Sequence, residues 1–455
     1  MNTPPAIFFD QSMPTLVRAV VEYLGTDALE GGLVVRDTSG RLRFLCSRTA
    51  PSDEQRGEFE KRIKTALGHY ARQDGVLGFV DEPGVQRLLD LRQTEAFSVE
   101  HDSMRYSFLD RRIVGMPWLN APHERLATPA RIVFASLKGG VGRSTALAVV
   151  AADLARRNKN VLVVDLDLEA PGIGDMLLEG DRLPRFGTLD YLVEHGIRGV
   201  EDRQLTDFVG TSFLTTPEGG RVDVLPVFGK QVDEYPANTL PKLARALIED
   251  IDSNGATVPI GAKISHMLDR FTLLEAYDAI FIDCRAGLSE IAAPGILDLG
   301  AAVLLFGTAQ RQTIRGYESL FAGLKLLAER DLRSGRSAAW RMRLKAVLAK
   351  ASGVGEVAER HRDDLFDLFA ENLYDSESDE QDSEEAISYG IDDPNAPHWP
   401  LVVPFNPNFV DFDPTRKPNQ LSVDFYEPTF RPFLKGIDSI LASASANQNP
   451  AEDRQ

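Results

Sequence analysis

Apolar and polar residues alternate along the chain in two distinct patterns. Short continuous apolar runs are typical of strands buried in a parallel sheet. They fall at 132–135, 161–164, 222–227, 279–282, 301–306, 344–348 and 401–405. Between them, apolar residues at three-four spacing predict helices, chiefly at 143–154, 187–192 and 314–332. This alternation predicts an α/β fold, a doubly wound and mostly parallel sheet with helices on both faces.

Residues 1–125 precede the first of these strands and predict a separate, smaller α+β domain. Its expected elements are an amphipathic helix at 14–24, a hairpin of 32–37 with 42–45, a charged helix near 54–72 and a hairpin within 97–114. A linker at 120–129 would lead into the larger domain, 126–445. Because no catalytic spacing occurs in residues 1–125, we interpret them as a sensor or partner-docking module.

Within the larger domain, the pattern predicts a mostly helical insertion at 228–274 with a flexible break at 252–255. Acidic residues interleaved with serine predict a mobile acidic loop near 371–396. A short amphipathic helix, from Phe430 to Leu441, is expected to pack on the sheet because it has few basic residues to hold a membrane. Residues 446–455 are predicted to form a disordered tail.

Composition narrows the setting in which this fold would work. The 455 residues are 43% hydrophobic and 26% charged, as expected of a globular protein with two or three domains. Two distant cysteines, Cys46 and Cys284, favour a reducing cytoplasm over a disulfide framework. No leader-like or membrane-spanning apolar stretch is present, so we expect a cytoplasmic protein without a membrane partner.

Charge bears on the class of partner. The net charge of −18 would repel nucleic acid at long range. One basic cluster opposes this repulsion locally. Its simplest interpretation is a charged helix surface. The cluster comprises Arg330, Arg333, Arg336, Arg341, Arg343 and Lys345. DNA is therefore disfavoured as a partner, although a local basic patch would still be able to bind it.

A glycine-rich turn at 137–142 joins the strand at 132–135 to the helix that opens at Arg143. Glycine allows successive backbone N–H groups to point into one cavity because no Cβ restricts the backbone. The helix behind the turn adds unpaired N–H donors and the positive end of its dipole. The segment therefore predicts a site for a polyphosphate.

Carboxylates follow two of the predicted strands. Asp165 and Asp167 end the run at 161–164, and Asp283 ends the run at 279–282. Because ligands of open α/β sheets bind at the carboxyl ends of the strands, these acids are expected beside the glycine turn.

These segments together resemble the ParA/MinD-type P-loop ATPases. Lys138-Gly139-Gly140-Val141-Gly142 resembles their deviant Walker A motif, with Arg143 in place of the usual P-loop lysine. The segments at 160–172 and 277–287 are similar to the family's second acidic motif and to its Walker B and switch II region. The likeness covers roughly 130–441 and implies the same fold.

The resemblance also implies a role for each site residue. Lys138 would reach the phosphates of a partner subunit, Asp167 would orient or activate the attacking water, and Asp165 would support Mg²⁺ and its waters. Ser144 and Asp283 would hold Mg²⁺, the latter through water, and the N–H of Gly287 would follow the γ-phosphate. The implied nucleotide-binding residues are Gly139, Gly140, Val141, Gly142, Arg143, Ser144, Thr145 and Gly287.

The implied ligands are ATP and Mg²⁺. An asparagine that often reads adenine at the end of the penultimate strand is missing, because that region reads Leu348-Ala349-Lys350-Ala351. ATP rather than GTP is therefore implied by the resemblance alone. Arg143 should preserve binding, since its planar fork suits phosphate oxygens, but its bulk places the hydrolysis rate in question.

The leading hypothesis is a slow, Mg²⁺-dependent ATPase that acts as a nucleotide-gated dimerisation switch. Two ATP-bound copies would form a homodimer, and residues 1–125 would signal that state to a protein partner. Two alternatives remain open: a nucleotide-sensing scaffold with little or no hydrolysis, and a ParA-like DNA or cargo positioning protein. A related tyrosine kinase is disfavoured because no tyrosine cluster ends the chain.

Overall fold

The computed structural model describes residues 7–252, 254–352, 356–375 and 387–446. The chain forms two compact units, Met1–Met116 with Leu324–Ala338, and Pro117–Gly323 with Ala339–Gln455. Residues 376–386 of the predicted acidic loop, and all but the first residue of the predicted tail, lie outside the described residues. The predicted domain boundary at 125 stays a prediction.

The smaller unit contains a five-stranded sheet with the order β3-β2-β1-β5-β4. Two antiparallel hairpins, β1 with β2 and β4 with β5, confirm the predicted pairs, and β1 joins them by running parallel to β5. The strands are β1 Leu33–Arg36, β2 Leu42–Cys46, β3 Leu77–Phe79, β4 Phe97–His101 and β5 Met104–Asp110. Its helices are α1 Phe9–Leu24, α2 Ala28–Gly31, α3 Asp53–Leu67 and α4 Val85–Asp90.

Two helix boundaries in this unit differ from the predictions. Helix α1 begins at Phe9, ahead of Pro14, because the Gln11 side chain accepts the N–H of Phe8 at 2.9 Å and caps an earlier start. Helix α3 ends at Leu67 because Gly68 takes a left-handed conformation with φ 56°.

The larger unit contains an eight-stranded sheet with the order β15-β14-β13-β6-β12-β7-β9-β8. Neighbouring strands run parallel except for β8, which pairs antiparallel with β9. The predicted doubly wound, mostly parallel fold is confirmed. The strands are β6 Ala130–Ser136, β7 Val161–Leu166, β8 Gly210–Thr211, β9 Val222–Leu225, β12 Ala279–Cys284, β13 Ala302–Gly307, β14 Leu344–Ala351 and β15 Leu401–Pro404.

Alternate residues of β6 face two layers of helices. Ile132 and Phe134 share a buried core with helix α5, Arg143–Arg156. On the other face, Val133 lies beside Gly295 of helix α11, Ala292–Leu297, where a glycine is needed because an added Cβ would come within 2.8 Å of the Cys284 sulfur. The remaining helices are α6 Ile173–Leu177, α7 Thr188–Ile197, α8 Gln231–Glu234, α9 Thr239–Ala246, α10 Ile260–Phe271, α12 Arg311–Arg333 and α13 Glu356–Asn372.

The C-terminal helix is longer than predicted. Helix α14 spans Val423–Ala446, although Pro428 and Pro432 lie inside it. It packs on the sheet as expected, since the ring of Phe433 lies 5.8 Å from Phe306 and 6.4 Å from Phe134, centroid to centroid. This burial outweighs the backbone hydrogen bonds that the prolines remove.

The predicted break at 252–255 falls between two short strands, and its Ser253 lies outside the described residues. Strands β10, Asp250–Ile251, and β11, Thr257–Val258, pair antiparallel across it. The Asp252 carboxylate accepts the N–H of Asn254 at 2.9 Å and of Ala256 at 2.8 Å, so the side chain replaces backbone partners in the turn. Helices α8, α9 and α10 confirm that the rest of the insertion is mostly helical.

Candidate functional site

The glycine turn lies between the end of β6 and the start of α5, as predicted. Gly140 and Gly142 have φ values of 72° and 96°, which a side chain would strain. A Cβ added at either position, or at Gly139, would meet no atom within 4 Å. Gly140 and Gly142 are therefore required by the backbone conformation, and the space in front of all three glycines is open to a ligand.

Strand order brings the predicted carboxylates to this turn. Strand β12 lies between β6 and β7, and its Asp283 is in register with Asp165 of β7. The Ser144 hydroxyl, in the first turn of α5, donates a hydrogen bond to Oδ2 of Asp283. The phosphate loop and the acids of two strands thus form one cluster.

The environment of the buried acids determines their protonation. Both Asp165 oxygens accept backbone N–H groups, from Asp167 at 3.0 Å and Gly172 at 3.2 Å, so this side chain holds the loop after β7. Burial, and next the charge of Asp283, raise the pKa of Asp165 well above its usual range. Burial also raises the pKa of Asp283 to about 6, although Arg143 and the Ser144 hydroxyl lower it.

Arg143 is directed into the acidic cluster. Its side chain is 8% exposed. Nη2 lies 3.4 Å from Oδ2 of Asp167, and Nε lies 3.7 Å from Oδ1 of Asp283. Nη1 donates to the Ser136 hydroxyl at 3.1 Å. Arg143, which was predicted to bind phosphate, is therefore held by carboxylates in this structure.

Lys138 lies on the same loop but outside the acidic cluster. It is exposed, and its Nζ donates to Oε1 of Gln310 at 3.4 Å. Gly287, the predicted γ-phosphate contact, has φ 94° and donates its N–H to the Ser136 carbonyl at 2.9 Å. The structure therefore places Gly287 against the end of β6 and leaves Lys138 at the surface.

The residue that follows Asp283 has no sign of nucleophilic function. The Cys284 thiol donates to the Ile291 carbonyl at 3.7 Å. Burial raises its pKa to about 12, which suits a packing thiol. The next side chain, Arg285, forms an ion pair with Glu169, so the loops after β7 and β12 are connected.

A pocket of about 400 Å³ extends from the glycine turn along the ends of β14 and β15. Besides the turn, its lining is largely apolar and aromatic. It includes Met176, Phe306, Ala349, Val403, Pro404, Phe405, Phe409, Val410, Phe412 and Phe430. These apolar and aromatic residues form a wall of the pocket that was not predicted from the sequence. The signal that could have indicated the wall is the density of phenylalanine between 405 and 412.

Lys350 lines the same pocket, in the region where members of the family often have the adenine-reading asparagine that this sequence lacks. It has φ 52° and interrupts the register between Ala349 and Ala351, so it is the extra residue of a bulge. The Asn406 side chain also reaches the pocket, but its amide donates to Thr429 Oγ1 at 2.8 Å. The polar groups that would read a base are therefore few.

Residues 132–446 match the family model described as the CobQ/CobB/MinD/ParA nucleotide binding domain. The chain belongs to this family. That assignment agrees with a phosphate loop at the carboxyl edge of a parallel sheet, next to an apolar pocket.

Several solved structures are similar to this nucleotide-binding chain. The ParA of pNOB8 bound to nonspecific DNA is 16% identical, with 70% of this chain and 99% of that chain covered and a TM-score of 0.41. Pyrococcus furiosus cell division ATPase MinD is 17% identical, with coverages of 69% and 100% and a TM-score of 0.39. Mycobacterium smegmatis cobyrinic acid a,c-diamide synthase with bound ADP and magnesium is 18% identical, with coverages of 53% and 82% and a TM-score of 0.33. No curated protein matches the chain.

The residues of the nucleotide-binding domain fit the magnesium that the family implies. Hydroxyl and carboxylate oxygens are the hard ligands Mg²⁺ prefers, and Oδ1 of Asp283 is buried without a hydrogen-bond partner. Within the described ranges, no group of three or more His, Cys, Asp or Glu is arranged to hold a metal. That is compatible with Mg²⁺, which usually takes one or two protein ligands together with phosphates and water.

The predicted basic cluster is largely engaged within the chain. Arg341 donates to the Leu373 carbonyl at 2.9 Å and pairs with Asp375 at 2.8 Å. Lys345 donates to the Ala396 carbonyl at 2.7 Å, and burial lowers its pKa to about 8. Arg333 and Arg343 likewise donate to backbone carbonyls. These cations therefore stabilise loops more than they present a surface to DNA.

A membrane-spanning helix is not found in the part of the chain that the structure describes, because none of its helices is both long and apolar enough.

Proposed function

We propose that the chain binds ATP with Mg²⁺ and hydrolyses it slowly, and that ATP binding joins two copies in a dimer whose state is signalled to a partner. The observation that carries this proposal is the contact of Ser144 with Asp283 directly behind an open glycine loop. One loop thus offers donors for phosphate and oxygen ligands for a metal.

The polar and charged groups of the site would have separate roles in phosphoryl transfer. N–H groups from Gly140 to Thr145 would bind the β- and γ-phosphates, and Ser144 with Asp283 would hold Mg²⁺. Bound Mg²⁺ would neutralise the charge that develops on the phosphate oxygens. Asp167, whose Oδ1 accepts no hydrogen bond, would orient a water in line with the γ-phosphorus. Attack by that water would form a bond to the γ-phosphorus and break the bond between the γ-phosphorus and the oxygen that bridges it to the β-phosphate. The products would be ADP, inorganic phosphate and the proton released by the water.

Lys138 would complete the site from the partner subunit. Its exposure on the loop leaves its ammonium available to a second copy, since among the described residues only a long contact of 3.4 Å to Gln310 holds it. A lysine supplied in this way adds positive charge only in the dimer, so assembly and hydrolysis become linked.

Phosphate release tests the enzymatic half of the proposal. Wild type should release phosphate from ATP, and Lys138→Ala should be slower by about a hundredfold, the usual effect of removing one transition-state contact. Lys435→Ala is the matched control, because Lys435 is exposed on α14, away from the phosphate loop. If Lys138→Ala hydrolyses and dimerises like wild type, the proposal is wrong.

A nucleotide-sensing scaffold with little hydrolysis is the second candidate. The contact of Arg143 with Asp167 favours it, because that pair occupies the acid proposed to orient water. Phosphate release by wild type and Arg143→Lys separates the two functions. A scaffold predicts that only the lysine variant turns over appreciably, whereas comparable rates would exclude the scaffold.

Signalling and cargo positioning are proposals that depend on the dimer. The smaller unit would bind a protein partner, and it exposes two adjacent apolar side chains, Ile113 and Val114, at 77% and 75%. The similarity to a DNA-bound ParA keeps DNA as an alternative partner. Because the basic cluster is engaged internally, we expect no salt-sensitive DNA binding with ATP present; such binding in a titration would favour the cargo role.

A further inference from the structure

We propose that Arg143 is an internal counter-ion that competes with the metal for Asp283. In this structure its guanidinium lies beside Asp167 and Asp283 and neutralises them. It must leave Asp283 before Ser144 and Asp283 can hold a divalent cation. The inference rests on the proposed nucleotide site and specifies how that site would be regulated.

The first support is the number of contacts that hold the guanidinium. Each of its three nitrogens has a different partner: Nε has Asp283, Nη2 has Asp167 and Nη1 has the Ser136 hydroxyl. Ser136 in turn donates to the Lys138 carbonyl at 2.9 Å. The arginine is therefore bonded to the acids on one side and to the base of the glycine loop on the other.

The second support is that the ion pairs of Arg143 with Asp167 and Asp283 supply charge but leave lone pairs of the carboxylate oxygens unused. The distances from Arg143 to the acids, 3.4 and 3.7 Å, exceed the roughly 2.7–2.9 Å of strong charge-assisted hydrogen bonds. Within the part of the chain that the structure describes, Oδ1 of Asp167 and Oδ1 of Asp283 accept no hydrogen bond. The acids are thus stabilised against burial by charge without strong hydrogen bonds to the guanidinium, so another cation can displace it.

Competition follows from electrostatics in a buried site. Asp283 is 2% exposed, and a buried carboxylate without a cation is strongly destabilising. Two cations on the same buried oxygen would repel each other equally strongly. Metal and guanidinium should therefore exchange rather than coexist on Asp283.

Nucleotide provides the means of exchange. Arginine forms bidentate contacts with phosphate, so a bound polyphosphate competes with the acids for the guanidinium. Its release exposes Asp283 to the cation that accompanies the nucleotide. Metal and nucleotide should therefore bind with positive coupling, and the coupling should depend on Arg143. A lysine at this position donates from one nitrogen and lacks the planar fork with which arginine contacts three separate partners, so it should compete less strongly with the metal.

Metal binding without turnover tests the inference. We would titrate Mn²⁺, the probe metal, into the full chain and record the electron paramagnetic resonance signal of free Mn²⁺, with and without ADP. A protein-free titration of Mn²⁺ with the same ADP concentration is subtracted, because ADP itself binds Mn²⁺. Nucleotide-free wild type should bind Mn²⁺ weakly, and ADP should increase its affinity about tenfold or more. Nucleotide-free Arg143→Gln should gain a similar increase, and Arg143→Lys should be intermediate.

Controls assign the effect to the site. Asp283→Asn combined with Arg143→Gln should remove the gain. Arg431→Gln changes the net charge equally at an exposed position of α14 and should leave Mn²⁺ binding at the wild-type level. Equal Mn²⁺ affinity of wild type with and without ADP would overturn the inference even if the Arg143 variants fail to fold. Because the decisive measurement requires no ATP turnover or dimer, it can fail while the proposed function stands.

Discussion

At the scale of single residues, the site is a balance between burial and charge. Asp283 is buried beside Arg143 and the Ser144 hydroxyl, and burial outweighs both partners, so its pKa is raised to about 6. Asp165 is buried more completely, but its two backbone donors give it a structural task. Of these two buried acids, Asp283 is therefore the one whose protonation should control metal binding.

Nucleotide binding with Mg²⁺ should weaken as pH falls below about 6, because protonated Asp283 cannot ligate the metal. The expected loss is about tenfold in affinity per pH unit, measured by titrating a fluorescent ADP analogue with Mg²⁺ above and below that pKa. Asp283→Asn should bind weakly at every pH. If the variant retains the wild-type pH dependence, another group is responsible.

The sign is reversed for stability of the nucleotide-free chain. A raised folded-state pKa means that protonated Asp283 favours the fold. Its contribution is complete below the unfolded value of about 3.9 and is lost as pH rises through about 6. Stability and metal binding therefore respond to this carboxyl in opposite directions.

At the scale of elements, the sequence predicted best where one signal dominates. Runs such as 161–164 and 279–282 are buried on both faces, and each became a central strand. Strand β8 was missed because two residues, Gly210 and Thr211, carry no pattern and pair only through β9. The extent of α14 was missed because its prolines are local signals that a helix breaks. The helix continues because Tyr426, Phe430 and Phe433 are buried in the core of the larger unit.

The candidate site shows the same division. Its glycine loop and acids lie in local motifs, so their sequence predicted their convergence. The aromatic wall and the contacts of Arg143 depend on strand order and on side chains distant in sequence, namely Phe405, Phe430 and Asp283. No local pattern encodes those contacts.

The loop after β12 offers a test at this scale. Gly287→Ala should destabilise the larger unit by about 1–2 kcal/mol, because φ 94° is strained for alanine although the space is open. Gly323→Ala is the matched control within helix α12, where the space is also open and φ is not left-handed. There alanine should stabilise by about 1 kcal/mol. Urea unfolding measures both, and equal shifts would mean that the loop conformation is not the one described.

At the scale of the whole molecule, the chain contains a nucleotide-binding unit and a smaller α+β unit that would report the state of the first. The larger unit contains the loop, the acids and the pocket. Lys138 has no role in that cluster within one chain, and its proposed function requires a second copy. Dimerisation is therefore the claim on which hydrolysis and signalling both depend.

The molar mass in solution, measured by light scattering with and without ATP and Mg²⁺, tests that claim most directly. The mass of the wild-type protein should double with ATP and Mg²⁺, and Lys138→Ala should remain at the mass of one chain. A wild-type mass that stays unchanged, while a fluorescent analogue shows the nucleotide to be bound, would contradict the claim.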